Sequence, residues 1–231
     1  LPDIFMGDIN SQVAACNVGK RRLSELCMSY ERTSLMEVFE LLLDKSEMMT
    51  RNALSKIPPG QYQYTDFLDN DGVVLDEKIK ISVNAIVKDG SVTFDFSQTS
   101  DQVKGPFNCV PSGSLSAACF AIRVVTGSDI PTNGGCFRPI KLKLPEGSIV
   151  NPKEPAPVNA RTSTIKRISG CMVAAFREIL PEKISADSAS EMLILQFGGR
   201  RTNGQHFIVG ELIASGSGAS IDRDGVDVIE A

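Results

Sequence analysis

Three prolines running straight into a helical pattern constrain this chain more than any other feature. Residues 150–176 read VNPKEPAPVNARTSTIKRISGCMVAAF. Pro152, Pro155 and Pro157 each fix φ and remove a backbone donor, so the first half is a stiff, extended approach rather than a helix or an inner strand. In the second half Ile165, Ile168, Met172, Ala175, Phe176 and Ile179 recur at three- and four-residue steps, which predicts a helix. Thr162 or Ser163 is placed to cap it, since a hydroxyl there accepts from the free N–H groups of the first turn. Between the halves lie Val158, Asn159, Ala160 and Arg161, polar groups just before a helix N-terminus, where an anion or a polarised carbonyl can bind. The same residues also read as a proline-rich connection, a capped helix and a solvated arginine.

The chain has 231 residues, 42% of them hydrophobic and 23% charged, with a formal net charge of −4. That suits one large domain or two small ones with a real core. The weakly acidic balance and the lack of a basic run give no electrostatic footprint for nucleic acid. No apolar run approaches the ~20 residues that span a bilayer. No signal peptide is visible, and a start at Leu1 without Met suits a fragment or a processed product. The cysteines are Cys16, Cys27, Cys109, Cys119, Cys136 and Cys171. None forms a CxxC pair and the spacings are irregular, so buried free thiols in a reducing, cytoplasmic setting are expected.

Asp8 is placed to cap a first helix, with Ile9, Val13, Cys16, Leu23, Cys27 and Tyr30 at helical steps and Gly19 a weak point. Ser34 and Glu37 have the capping-box spacing for a second helix, which Pro58-Pro59-Gly60 stops. Residues 1–60 therefore read as a helical segment and 61–231 as a mixed α/β body, one continuous fragment of a larger domain. From Gln61 the pattern alternates. Tyr62, Tyr64 and Phe67, then Ile79, Ile81, Val83 and Ala85, then Val92, Phe94 and Phe96 form an antiparallel meander with a hairpin at Asp89-Gly90. Ser112 or Ser114 caps a helix with Leu115, Cys119, Ile122 and Val125 on its core side, and Gly127 closes it. A strand from Ile140 to Leu144 leads into the proline-rich approach. Beyond Pro181, Met192, Ile194 and Gln196 begin a strand that Asn203-Gly204 turns back through residues 207–213. The predicted class is α+β: an antiparallel meander and hairpins packed with several helices.

Known catalytic motifs are sparse. His206, the only histidine, lies beside a hairpin turn, and one histidine cannot build a His-rich zinc site. There is no GxSxG elbow, no Walker A sequence and no GxGxxG, because Ile221 stands where the third glycine belongs. Asp222, Asp224 and Asp227 lack the spacing and terminal Glu of a calcium loop. What remains are loops rich in Gly, Pro, Asn or Ser at residues 105–114, 130–135, 159–161 and 215–220. Their asparagines offer two donors and an acceptor each, which suits an amide-bearing ligand, although turns use the same residues for backbone reasons alone.

Several segments, in this order, resemble the hydantoinase B family. They are Gly7-Asp8-Ile9 with Gln12, Arg22-Leu23 with Glu25-Leu26 and Tyr30, and Ile57-Pro58-Pro59-Gly60. Then come Asp95-Phe96-Ser97, Gly105-Pro106 with Asn108, and Ile130 to Gly135. Arg138-Pro139-Ile140, Pro145-Glu146-Gly147-Ser148, Asn151-Pro152 and Pro155-Ala156-Pro157-Val158 with Ala160-Arg161 follow, and Gly216-Ser217-Gly218-Ala219 and Asp224-Gly225 come last. The resemblance is to the middle of that family's domain. It implies part of the B subunit, or B half, of an ATP-dependent cyclic amide hydrolase acting on hydantoin- or oxoproline-type rings. An A-type nucleotide-binding partner would supply ATP chemistry. An acetone-carboxylase-like carboxylase subunit and a non-catalytic scaffold are the alternatives. Family members carry a His- and Asp-rich segment upstream of the Gly-Asp-Ile helix, which holds the metal ligands in the carboxylase branch, so the resemblance implies a divalent metal only in that segment and none in residues 1–231. No catalytic residue is assigned. Asn159 and Arg161 are the candidates for orienting substrate or an anionic intermediate, with Asn108 and Asn133 as further candidates. For Arg161 the structural alternative is a buried hydrogen bond that pins the proline-rich approach.

Overall fold

The computed structural model describes residues 2–127, 129–188 and 193–228. Two helices come first, α1 (Pro2–Ser29) and α2 (Arg32–Leu54). Strands β1 (Gly60–Leu68), β2 (Ile79–Lys88) and β3 (Ser91–Asp95) follow, then helices α3 (Pro111–Thr126) and α4 (Gly134–Phe137). Strand β4 (Ile140–Lys143), helix α5 (Arg161–Ala174) and the hairpin β5 (Leu193–Arg200) and β6 (His206–Ile213) complete the order. The class is α+β.

Four strands form one sheet in the order β1-β2-β3-β4. The meander pairs Tyr64 with Val83 and Ala85 with Phe94, both antiparallel. Asp89 (φ 51°) and Gly90 (φ 64°) make the tight turn between β2 and β3, both left-handed, as a two-residue loop of this kind requires. The fourth strand departs from the meander. It lies parallel to β3, with Phe94 opposite Leu142. A parallel neighbour needs a crossover connection, and α3 and α4 lie in it. Ile79, Ile81, Val83, Ala85 and Val87 of β2 are all buried, the alternation expected of a strand with one face in the core. Helices α3 and α5 pack on each other, and α5 covers β1 and β2. Phe176, fully buried just past α5, meets Phe94 edge-on with centroids 6.4 Å apart.

Four helix starts differ from the sequence-based expectation. α1 runs through Asp8 from Pro2, so Asp8 lies inside the helix. α2 begins at Arg32 with Glu31 at the N-cap, leaving Ser34 within the first turn. α3 begins at Pro111, whose missing N–H costs nothing at this position, and Ser114 instead donates to the Val150 carbonyl at 3.0 Å. α5 has Ala160 at its N-cap and no side-chain cap, so Thr162 and Ser163 sit inside it. Helix α3 also faces the core differently. Ala117, Ala118, Ala121, Ile122 and Val125 are buried while Leu115 is exposed, because the small alanine face lets α3 lie close against α5.

Cys109, Cys136 and Cys171 are buried thiols, whereas Cys16 and Cys27 are exposed on α1, a correction to the expectation of burial. Asn203-Gly204 turns the β5–β6 hairpin, with Gly204 at φ 84°. His206 is the first residue of β6, paired with Arg200, rather than part of the turn. Met192 lies outside the described residues. No helix of the described residues is long and apolar enough to cross a membrane.

Candidate functional site

The proline-rich approach ends in a corner where two loops meet. The side chain of Asn108, fully buried, engages both its amide oxygen and its amide nitrogen there. Its Oδ1 accepts from the Val103 N–H at 2.9 Å, and its Nδ2 faces the carbonyls of Val103 (2.8 Å), Gly105 (3.2 Å) and Pro157 (3.0 Å). The Ala160 N–H donates to the Pro106 carbonyl at 2.9 Å, and the Thr164 hydroxyl donates to the Phe107 carbonyl. These bonds fix residues 157–164 against residues 103–109.

On that support Asn159 stands exposed in the turn and Arg161 exposed at the first position of α5. Arg161 Nη1 donates to the Val158 carbonyl at 3.2 Å, a local bond at the surface rather than a buried pin. Burial pushes the Cys109 thiol up, while Ser114 and the Arg161 charge oppose it. The carboxylate of Asp71 anchors the 103–109 loop from the other side. It accepts from the N–H groups of Val73 (2.8 Å), Val74 (2.6 Å) and Gly105 (2.9 Å). The Val74 bond leads in holding this carboxyl below its ordinary value.

Three of the four residues singled out in the sequence, Asn108, Asn159 and Arg161, therefore share one corner. Asn133 is elsewhere. It is the N-cap of α4, accepting from the Gly135 N–H at 2.9 Å, and its amide donates to Ser46 Oγ of α2 at 2.8 Å. Gly135 there sits so close to α2 that a Cβ would stand 1.9 Å from the Leu43 carbonyl oxygen.

Farther along α5 lies an open cleft of ≈ 290 Å³ that the sequence reading missed. Phe120 and Val124 of α3 and Val173 of α5 form its apolar wall, and Ser169, Asp187 and Ser217 border it on the polar side. The Ser217-Gly218 turn is drawn in by a bond from the Ala186 N–H to the Ala219 carbonyl at 2.8 Å. A Cβ on Gly218 would stand 1.8 Å from the Ala186 carbonyl oxygen, so only glycine permits this approach. Arg167 fixes the carboxylates around it. Its Nη1 bonds Asp66 of β1 and lies 2.9 Å from Asp187 Oδ2. The serine- and glycine-rich loop at residues 215–220 was the one sequence signal for this cleft. Among the described residues no three His, Cys, Asp or Glu side chains gather as a metal centre would require.

With this geometry established, comparison with known proteins defines the class. A family model described as hydantoinase B/oxoprolinase matches residues 1–231. The chain belongs to that family. It is 29% identical to the caprolactamase subunit beta of Pseudomonas jessenii, over 95% of this chain and 38% of that protein. Its fold superposes on the crystal structure of the ATP-dependent caprolactamase from Pseudomonas jessenii with a TM-score of 0.87 at 26% identity, covering 96% of this chain and 39% of that one. The nucleotide-free structure of an acetone carboxylase shares the fold, with a TM-score of 0.80 at 18% identity, over 98% of this chain and 32% of that one. The chain spans well under half the length of each of these proteins.

Proposed function

We propose that this chain is part of the B subunit, or B half, of an ATP-dependent hydrolase of hydantoin- or oxoproline-type rings. The observation that carries the reading is the family match along the whole chain, joined to the close superposition on an ATP-dependent caprolactamase. The chemistry explains the need for ATP. A ring amide is resonance-stabilised and a poor electrophile. Transfer of a phosphoryl group to the carbonyl oxygen, by an A-type nucleotide-binding partner in the cytoplasm, turns that oxygen into a leaving group. Water then adds at the carbon, the CO–N bond breaks to release the ring nitrogen as an amine, and a second water hydrolyses the acyl phosphate left behind, giving an open-chain carboxylate and inorganic phosphate. Arg161 and Asn159, exposed beside each other at the start of α5, are suited to hold an anionic or carbonyl-bearing intermediate. Asn108 shapes the corner through backbone contacts, and Asn133 serves α4. Any divalent metal the reaction uses is held outside residues 1–231.

The test is an assay of the full-length protein with its A-type partner on hydantoin, 5-oxoproline and ε-caprolactam, with and without ATP. The expected result is ring opening that requires ATP. Turnover without ATP, or none on any ring amide, overturns the reading.

A further inference from the structure

The β5–β6 hairpin is apolar on both faces. Phe197 pairs with Val209, and both share one face with Leu195. Ile194 pairs with Leu212 and shares the other face with Ile208, which stands opposite Gly198. These six apolar side chains are between 37% and 77% exposed. Among the described residues each strand pairs only with the other, so both outer edges lack a ladder. A solvated antiparallel pair keeps one polar face, whereas strands apolar on both faces belong inside a layered sheet. A lone two-stranded hairpin is at best marginally stable in water, so its cover is present whenever it is folded.

A glycine shows how closely that cover lies. Gly210 is inside β6, where glycine weakens a strand and marks a place for another backbone to approach. Its φ is outside the left-handed region, so the turn geometry that favours glycine does not apply. Among the described residues a Cβ there would meet only the Gln196 Cγ, at 4.0 Å, so nothing in them requires glycine. Gln196 is its cross-strand partner, which places Gly210 on the face of Ile194, Ile208 and Leu212.

Two bare faces select the occupant. A two-fold contact with a second copy sets one patch against itself and leaves the opposite face uncovered. A separately folded partner would leave the hairpin bare until it docked. The matched region is 38% of the caprolactamase subunit beta, so the larger part of that subunit lies outside it and is long enough to cover both faces. We propose that β5 and β6 are inner strands of a second sheet, completed by strands and apolar layers of the same B-type polypeptide outside residues 1–231, with one backbone lying close over Gly210. The inference does not depend on the ATP-linked reaction.

The experiment uses the full-length B-type polypeptide, purified without its A-type partner and diluted until light scattering shows a monomer. Leu195→Cys and Ile208→Cys report on one face each, read by iodoacetamide labelling and peptide mapping. Both thiols are expected to react about 100-fold more slowly in the folded protein than after unfolding. Hydrogen exchange of wild type over residues 193–213 decides the question should either variant misfold, and protection within about tenfold of that of β2 is expected. Labelling or exchange that is fast in the monomer and slowed by the A-type partner makes the hairpin a subunit interface and overturns the proposal. Protection that appears only as rising concentration drives dimerisation assigns the hairpin to a second copy, which also overturns it, as does fast reaction in every state. Gly210→Val tests the close approach. It is expected to lower the thermal midpoint of the full-length protein by about 5 °C, even though valine favours a strand. An unchanged or raised midpoint overturns the close approach over Gly210.

Discussion

The Asn108 side chain donates to the Pro157 carbonyl at 3.0 Å and so joins two segments 49 residues apart. With three further bonds to Val103 and Gly105, it is the buried link between the loop after β3 and the proline-rich approach. Replacement by alanine strands buried N–H and C=O groups without partners. Asn108→Ala is expected to destabilise the protein by about 3 kcal/mol, read as a lowered denaturant midpoint at unchanged slope. Asn108→Asp is expected to fail as a rescue, because it lacks the donors that the three carbonyls require.

Asp71 sets an acid limit on stability. Its folded-state pKa lies below the ordinary 3.8, chiefly through the Val74 N–H. A depressed carboxyl stabilises the fold above its unfolded pKa, and the contribution is lost as pH falls through the folded value. Wild type should therefore exceed Asp71→Asn in stability by a constant margin near neutral pH, and the margin should shrink below about pH 4. Thermal midpoints of both proteins across that range measure it. A margin that does not change with pH would contradict the assignment.

The thiols should separate by reactivity. Desolvation pushes the Cys171 thiol up to about 12 and the Cys119 thiol up to about 11. Nucleophilic thiolate is therefore scarce at pH 8 for both. Iodoacetamide followed by peptide mapping should modify Cys16 and Cys27 in the isolated 231-residue chain. Cys109, Cys136 and Cys171 should react only once the chain is unfolded.

The role proposed for Arg161 predicts an effect on activity rather than stability. It is exposed and makes one local bond, so Arg161→Ala should leave the unfolding midpoint nearly unchanged. If it holds an anionic intermediate, kcat/KM for ATP-dependent ring opening in the full-length enzyme should fall about 10- to 100-fold. Arg161→Lys should recover part of the loss. Wild-type kinetics in the alanine variant would remove Arg161 from the site.

Much of the local structure was legible because it rests on local rules. Asp89-Gly90 reads as a tight turn because that loop needs two left-handed residues, and both are left-handed. Gly127 closes α3 at φ 98°, where glycine pays no steric cost. The helix starts were less legible. A serine near a helix start satisfies the capping pattern, yet the Ser114 hydroxyl finds a better-placed acceptor, the Val150 carbonyl, 36 residues away. The core face of α3 was legible in part: Ile122 and Val125 are buried as expected, whereas Leu115 is exposed. Hydrophobicity favours Leu115, but closeness to α5 favours Ala117, Ala118 and Ala121.

The sequence by itself determined the class, the meander, most of the turns and the run of family motifs, all of which depend on periodicity and on residues close along the chain. Tertiary structure alone decided that β4 lies parallel to β3 and that Asn108 faces inward while Asn159 and Arg161 face out. It also brought Asp66, Arg167 and Asp187 together, from positions up to 101 residues apart. The physical reason is range. Backbone propensity acts over a few residues, whereas a buried amide or a bridging guanidinium takes whichever partners packing delivers.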